Sequence, residues 1–468
     1  MQTMKNRVKM LSNLDGFPLN MSFVRDDPYI REAISNLRGG NDLLQTVRGV
    51  TRSGASLELL KGRIDAYNVD TPVLPDDDLF SEAVSRTFKA FKVNDLRVLS
   101  IQEVVLDSEK AKSHPGWTWR NEGKRKGELF EEAKAQARVL SSIMRKGKKV
   151  YFPPCMSFVR TQLGTIDNPK VRLVWGYPFE VTLLEARFCQ PLLVAFNGSN
   201  SPMFIGKTLL QELPMAIDHL FHHKYAYGLD WSGFDSSISP GLIGIAFKVL
   251  EQNFRMSESD RVTWRRLIDY FIHTTIVFPD GTRYVKSSGI PSGSYFTQLI
   301  GSIINYLVIT YCLLRLSEIS PKIWVLGDDS AFGLDEYLDP SQIAAIADRE
   351  FGLKLNLSKS VVSDDPSSFE FLGHRSYGGQ VYRPERKLLE LALFPEAYVE
   401  SEMKSAARLL GLLMDSGFNS PLIVNLYQQF RQHGIESMGR ADRYVKYVLQ
   451  RSIPQGKLPD PKTIWAKT

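Results

Sequence analysis

Cysteine is scarce in this 468-residue chain: Cys155, Cys189 and Cys312 are all it holds. An odd number without metal-ligand spacing excludes a disulfide framework and a zinc site, and points to a reducing compartment. A strong charge of one sign is also missing. The 58 Lys and Arg exceed the 52 Asp and Glu by enough to give +6 and a pI near 8.9, which favours a polyanionic partner without demanding one. No low-complexity tract or internal repeat interrupts the chain, so solenoid and fibrous architectures are excluded. Met1 to Leu14 carries Lys5, Arg7 and Lys9 but no apolar run of the kind a secretory signal needs, which gives the expectation of a cytoplasmic location. The one long apolar run, Tyr295 to Leu316, is broken by Thr297, Gln298, Ser302, Asn305 and Thr310. Such groups are costly in lipid, so the run reads as a core helix and no membrane partner is expected. Two motif-like fragments fail. Gly206-Lys207-Thr208 ends like a phosphate-binding P-loop, but Ser201 stands where the first glycine is required. Asn197-Gly198-Ser199 has a glycosylation pattern that a cytoplasmic chain never presents to that machinery.

What the chain does hold is the composition of a globular protein, 43% hydrophobic and 24% charged. Four stretches differ in pattern. Residues 1–95 mix short helical patterns with breaks such as Asp26-Asp27-Pro28 and Pro75-Asp76-Asp77-Asp78. Residues 96–225 are basic and aromatic, from Trp117, Trp119 and Arg120 to Lys148 and Lys149, with helical spacing from Leu129 to Met144. Residues 226–385 alternate short β-type runs with helices, which predicts an α+β core. Residues 386–468 are mostly helical in pattern, with Leu388, Leu389, Leu409, Leu410, Leu412 and Leu413 at apolar positions.

The chemistry sits in the third stretch. Tyr225 to Leu229 reads as a buried strand that delivers Asp230 at its end, and Asp235 follows after a tight Ser232-Gly233 step. Asp235 also suits a helix cap or a turn. Ile323 to Leu326 reads as a second buried strand that runs into Gly327-Asp328-Asp329 and returns through Ser330 to Leu334. The pattern predicts a hairpin with two acids at its tip, held by apolar flanks. Hard oxygen ligands carried on two strands suit a pair of Mg²⁺ ions, with Mn²⁺ able to substitute, in an in-line displacement at phosphorus. Asp230 and Asp328 are the expected bridging ligands and Asp329 a weaker one. Without metal the acids repel, so one carboxylate should have a raised pKa.

Taken in order, Asp230-Trp231-Ser232-Gly233-Phe234-Asp235, then Gly289-Ile290-Pro291-Ser292-Gly293 with Thr297, then Gly327-Asp328-Asp329 resemble motifs A, B and C of viral RNA-dependent RNA polymerases. The wording is most similar to the partitivirus and picobirnavirus kind from double-stranded RNA viruses, with partitiviruses preferred for the compact length, and it extends from about Ser113 to Arg383. The resemblance implies a right-hand fold of fingers, palm and thumb, with a small antiparallel palm sheet and a mostly helical thumb. It divides the chain into an N-terminal extension bridging the fingertips (1–95), fingers (96–225), palm (226–385) and thumb (386–468). The implied activity is two-metal nucleotidyl transfer from ribonucleoside triphosphates to an RNA 3′ end, for transcription and genome replication. The implied partners are template and product RNA, the triphosphates and a viral capsid protein, and the implied location is a particle in the host cytoplasm.

The resemblance also assigns roles. Asp235 would sense the ribose 2′-hydroxyl, a bond that deoxyribose cannot make. Ser292, Gly293 and Thr297 would meet the nucleotide or template, with Asn305 either a further nucleotide contact or a cap on a core contact. Here the pattern departs from the family, because the position four after Thr297, often Asn in relatives, is Gly301. Arg160, Lys170 and Arg172, with Pro169 beside them, resemble motif F, whose cations neutralise triphosphate charge. Gly116 and Trp117 resemble part of motif G at the template entry. Lys359 resembles the motif D general acid, and Phe371 and Leu372 part of the motif E hairpin against the growing strand. A reverse transcriptase would usually carry Tyr-x-Asp-Asp and an aromatic sugar gate, whereas this chain has Leu326 before Gly327 and a carboxylate at Asp235. A non-catalytic RNA-binding or capsid-associated relative would show decay among the acids, and Asp230, Asp328 and Asp329 are intact.

Overall fold

Local signals set most helix boundaries in the computed structural model, which describes residues 7–19, 26–52, 54, 56–93, 95–168, 170–316, 321–396 and 398–430. Ser239 and Asp339 each cap a helix that begins with proline, Pro240–Glu251 and Pro340–Phe351. A proline there lacks only an N–H that would be unsatisfied anyway. Ser257 and Asp260 form a reciprocal capping box at the start of Glu258–Ile272. The helical spacing noted from Leu129 to Met144 corresponds to the helix Phe130–Arg145.

Two larger sheets organise the molecule. The four-stranded antiparallel sheet has the order Ile323–Leu326, Asp329–Leu334, Tyr225–Leu229, Val361–Ser363. The five-stranded sheet has the order Val8–Leu11, Arg283–Lys286, Thr275–Val277, Cys155–Thr161, Val171–Gly176. The helix Thr297–Arg315 lies against the strand Ile323–Leu326 and between helices Asp78–Ala90 and Pro240–Glu251. It is the one helix among the described residues long and apolar enough to cross a membrane, and most of it is buried inside the protein, as the sequence predicted for a core helix. Each large apolar side chain buried there contributes about 1.5–3 kcal/mol, and its polar residues have specific partners.

A second core stands apart from this one. Ile30, Ile34 and Val47 from near the N-terminus pack with Leu388, Leu393, Leu409, Leu413, Ile423 and Leu426 from the helices Glu385–Leu393, Glu402–Asp415 and Pro421–Gln429. The helical pattern of the tail therefore holds as far as residue 430, and residues 431–468 lie outside the described residues. The N-terminal stretch serves several neighbours: Val8–Leu11 extends the five-stranded sheet, Val50–Arg52 pairs with Leu163–Thr165, and the helix Pro28–Ser35 joins the second core. A small third cluster, including Phe204, Ile217, Ala331, Phe369 and Phe371, backs the four-stranded sheet from the other side.

Candidate active site

The hairpin between Ile323–Leu326 and Asp329–Leu334 turns at Gly327-Asp328, with Leu326 paired to Asp329. Gly327 has φ +65°, the left-handed region that favours glycine, and the Gln298 side chain lies against it. Because Leu229 pairs with Ser330, the chain leaving Tyr225–Leu229 brings Asp230 alongside Asp329. The loop Asn356–Ser360 then wraps Asp230: Asn356 N–H donates to its carbonyl at 2.7 Å, and Ser360 Oγ accepts from its N–H at 3.1 Å. The same loop brings Lys359 Nζ to 4.0 Å from Asp230 Oδ2.

The charges of this cluster are only partly compensated. Asp328 and Asp329 reach solvent at the hairpin tip, yet the surrounding protein replaces much of their water. That desolvation, with the charges of Asp328 and Asp230 added, pushes Asp329 up to about 7. Asp328 is raised for the same first reason, with Asp230 contributing. Asp235 is pushed up to about 7 by burial and then by Asp328. Arg172 opposes all three shifts, so its exposed guanidinium acts on the same acids from the strand Val171–Gly176. Arg160 stands directly opposite Arg172 in the sheet register. Like charges so placed repel unless an anion joins them, and here Glu396 meets Arg160 at 3.0 Å. Lys170 is exposed at the start of this strand, and Pro169 lies outside the described residues.

The helix Thr297–Arg315 fixes the hairpin from behind. Ser302 Oγ accepts from Gly327 N–H at 2.8 Å. Asn305 Nδ2 donates to the carbonyls of Gly327, Asp328 and Asp329 at 3.0, 2.9 and 3.2 Å, while its Oδ1 accepts from Trp231 Nε1 at 2.9 Å. One fully buried side chain thus ties the residue after Asp230 to the Asp328 turn. This corrects the expectation of a nucleotide contact at Asn305, since every polar atom of its amide is spent inside the protein. Gly301 is buried nearby with its Cα face toward Gly327, and a Cβ there would sit 3.4 Å from Gly327 Cα, so helix and turn approach closely at this position.

The loop before that helix rests on the basic strand. Trp175 N–H donates to Ser292 Oγ at 3.2 Å, Thr297 Oγ1 donates to the Pro291 carbonyl at 2.6 Å, and a Cβ on Gly293 would lie 1.8 Å from the Trp175 carbonyl oxygen. Only glycine permits that approach. Ile290 N–H donates to the Asp235 carbonyl at 2.7 Å, so the loop also fixes the backbone of Asp235.

Two further expectations need correction. Phe371 is 3% exposed and packs edge-on against Phe204 with ring centroids 5.6 Å apart, so it supports the sheet and is closed to RNA. Leu372, in a left-handed conformation, is partly buried against the same cluster. Gly116 is buried against the backbone of Tyr177 and Pro178 and offers no surface to a template. Its neighbour Trp117 is partly exposed, with the Arg120 guanidinium 3.9 Å above its ring. Ser302, Ser360 and Trp231 were missed as site residues. The available signal for Ser302 was its place as a polar residue inside an apolar run, three positions before Asn305.

Among the described residues no group of three or more acidic, His or Cys side chains is pre-assembled as a metal cage. A Mg²⁺ site completed by water and substrate phosphates does not require one, and the donor set here, adjacent carboxylates of which Asp328 and Asp329 are raised by desolvation and neighbouring acids, suits a hard divalent cation.

A carboxylate-tipped antiparallel hairpin, backed by a buried helix and faced by a basic strand, places the molecule among right-hand polymerases. The chain belongs to the viral RNA-dependent RNA polymerase family, whose model matches residues 49–430. It is similar to the RNA-directed RNA polymerases of Cryptosporidium parvum virus 1, 28% identical over 59% of this chain, and of White clover cryptic virus 1, 24% identical over 60%. The matched regions span 57% and 52% of those relatives' lengths. The RNA-dependent RNA polymerase of a human picobirnavirus shares the fold with a TM-score of 0.69 at 18% identity, over 94% of this chain and 92% of that one.

Proposed function

We propose that this protein is an RNA-directed RNA polymerase that joins ribonucleoside monophosphates from triphosphates to an RNA 3′ end, serving viral transcription and genome replication. The observation that carries the reading is the convergence of Asp230 with Asp328 and Asp329 beside one hairpin tip, where the Asp328 and Asp329 carboxyls are raised and Arg172 acts on them. In this reading Asp230 and Asp328 hold two Mg²⁺ ions, or Mn²⁺ in their place, and Asp329 is a weaker ligand. Bound there, the ions would lower the pKa of the attacking 3′-hydroxyl and neutralise the leaving pyrophosphate.

The chain's own residues do the rest. Arg172 and Lys170, with Arg160 once released from Glu396, bind the triphosphate, and the planar guanidinium groups orient it. Asp235 accepts a hydrogen bond from the ribose 2′-hydroxyl, and Ser292, Gly293 and Thr297 form the wall beside it. Lys359, 4.0 Å from Asp230, supplies a proton to the pyrophosphate. Trp117 guides the template at its entry. We assign fingers to 96–225, palm to 226–385 and thumb to 386–468, with 1–95 bridging them. The pairings of Val8–Leu11 and Val50–Arg52, and the packing of Pro28–Ser35 against the C-terminal helices, support that bridge. From the resemblance alone we infer a capsid protein as partner and a particle in the host cytoplasm as location. The test is templated incorporation of ribonucleotides with Mg²⁺ by the wild type and by Asp328→Asn. Incorporation confined to the wild type is expected, and equal incorporation by both would sink the reading.

A further inference from the structure

The loop Gly289–Tyr295 is gripped at both ends by buried ionisable side chains outside the motifs. At its far end, Glu185 on the helix Phe179–Asn197 is 0% exposed and uses both carboxylate oxygens. Oε1 accepts from Ser294 Oγ at 2.8 Å, and Oε2 accepts from Tyr295 N–H at 2.8 Å. Ser294 Oγ in turn accepts from Phe296 N–H at 3.1 Å, so Glu185 closes the N-terminus of the helix Thr297–Arg315 through hydrogen bonds, although burial pushes its carboxyl up to about 8 against the lowering effect of those bonds and Lys126. At the near end, Lys286 is also 0% exposed. Its Nζ donates to the carbonyls of Phe271 at 2.5 Å, Ile272 at 3.1 Å and Gly289 at 2.8 Å. Burial lowers the pKa of this ammonium, yet three acceptors need three N–H donors, which only the charged form has. Two of those carbonyls end the helix Glu258–Ile272, where a cation is favoured.

Between these grips the loop touches both halves of the nucleotide site. Gly289 and Ile290 donate their N–H groups to the carbonyls of Ile238 and Asp235, each at 2.7 Å. Tyr67 Oη donates to the Ile290 carbonyl at 3.1 Å and accepts from Trp175 Nε1 at 3.1 Å. Ser292 and Gly293 rest on the Trp175 backbone. Any slack in the loop would therefore change the spacing between Asp235, on the ribose side, and the strand carrying Arg172, on the phosphate side.

We propose that Glu185 and Lys286 are positioning residues that set this spacing, and that through it they fix the preference for ribose over deoxyribose. The proposal rests on the polymerase reading for its substrate. Neither residue touches the nucleotide. Both act through the loop backbone.

The experiment compares wild type, Glu185→Leu, Glu185→Gln and Ser294→Ala. Glu185→Leu leaves the Ser294 hydroxyl and the Tyr295 N–H without their acceptor, whereas Gln keeps one acceptor for Tyr295 and one donor toward Ser294 Oγ. For Glu185→Leu the ribo-to-deoxyribonucleotide ratio of kcat/KM should fall roughly tenfold, mostly through KM for the ribonucleotide, the size of effect that stranding buried hydrogen-bond partners gives. Ser294→Ala, which keeps the Tyr295 bond, should fall about half as far on a logarithmic scale, and Glu185→Gln should stay near the wild type. Amide exchange across Gly289–Tyr295, measured with and without ribonucleoside triphosphate, should rise in Glu185→Leu and recover in Glu185→Gln. An unchanged ratio in Glu185→Leu and Ser294→Ala, or an equal loss for both sugars, would overturn the proposal. Amide exchange also separates the two readings. If the wild type incorporates nothing but the loop still loosens in Glu185→Leu and no longer responds to ribonucleotide, the polymerase reading fails and the clamp stands. If the wild type polymerises and the loop exchanges alike in all four proteins, only the clamp fails.

Discussion

Asp27 in the second core and the acids at the hairpin tip meet opposite surroundings. In the second core, Asp27 is 0% exposed and fully engaged. It caps the helix Pro28–Ser35 through Ile30 N–H at 3.2 Å, accepts from Ser405 Oγ at 2.8 and 2.9 Å, and pairs with the Arg408 guanidinium. Arg408 also donates to the carbonyls of Leu391 and Ala392. Every charge there has its counterpart within the protein, so the site has nothing left to bind. At the hairpin tip, Asp328, Asp329 and Asp235 are desolvated beside one another with Arg172 as the cation that opposes their shifts. Charge concentrated without matching partners costs stability in the free protein, and a cationic ligand recovers that cost. A paired buried acid holds two chain ends together. An underpaired group of acids is a site.

Neutralising each kind of acid site in turn should have opposite effects. Asp328→Asn should lower templated incorporation by about 10²–10³ or more while leaving the melting temperature unchanged or higher, because it relieves repulsion. Arg408→Met should do the reverse. Stranding Asp27 without its cation should cost about 3–5 kcal/mol in chemical denaturation, while the fraction that stays folded keeps its kcat. A loss of kcat without a loss of stability in this variant would mean that the second core is part of the catalytic apparatus.

Asn305→Leu tests the correction at the hairpin. Four bonds to Gly327, Asp328, Asp329 and Trp231 are lost, so stability should fall by about 1–3 kcal/mol and incorporation should fall through kcat, with the choice between ribo- and deoxyribonucleotides unchanged. A shift in sugar choice would return Asn305 to the nucleotide. The smallest effect concerns pH. With its pKa near 7 in the folded chain and 3.8 as the ordinary value, Asp235 keeps its proton on folding between those limits. Its contribution therefore makes the metal-free protein lose stability as pH rises from about 4 to 7. Asp235→Asn should melt roughly 1–3 °C above wild type at pH 8, an advantage that shrinks at pH 5. Adding Mg²⁺ should raise the wild-type melting temperature more at pH 8 than at pH 5. Equal differences at both pH values would remove Asp235 from the charged cluster.

Much of the catalytic body was legible in advance because its signals are local. The strand Tyr225–Leu229, the hairpin around Gly327-Asp328 and the buried helix from Thr297 follow from short apolar runs, turn residues and the cost of polar groups in lipid. Asn305, Phe371 and Gly116 were placed by family position, and their neighbours decide against contact with nucleotide or RNA. The second core was legible only in half. Leucine spacing announced the C-terminal helices, but nothing local said that Ile30 and Ile34, more than three hundred and fifty residues earlier, would complete their packing.

Short motifs and local periodicity are enough to read the family, the acids and the elements that carry them, since each motif is complete within a few positions. Tertiary structure alone decided which buried groups are paired. The sequence singles out Asp328 by its motif and hairpin and passes over Asp27, yet it names the partners of neither. Whether a carboxylate finds an arginine and a serine from a distant helix, or finds other carboxylates, depends on long-range packing, and the energy of a buried charge is set by the neighbours that packing supplies.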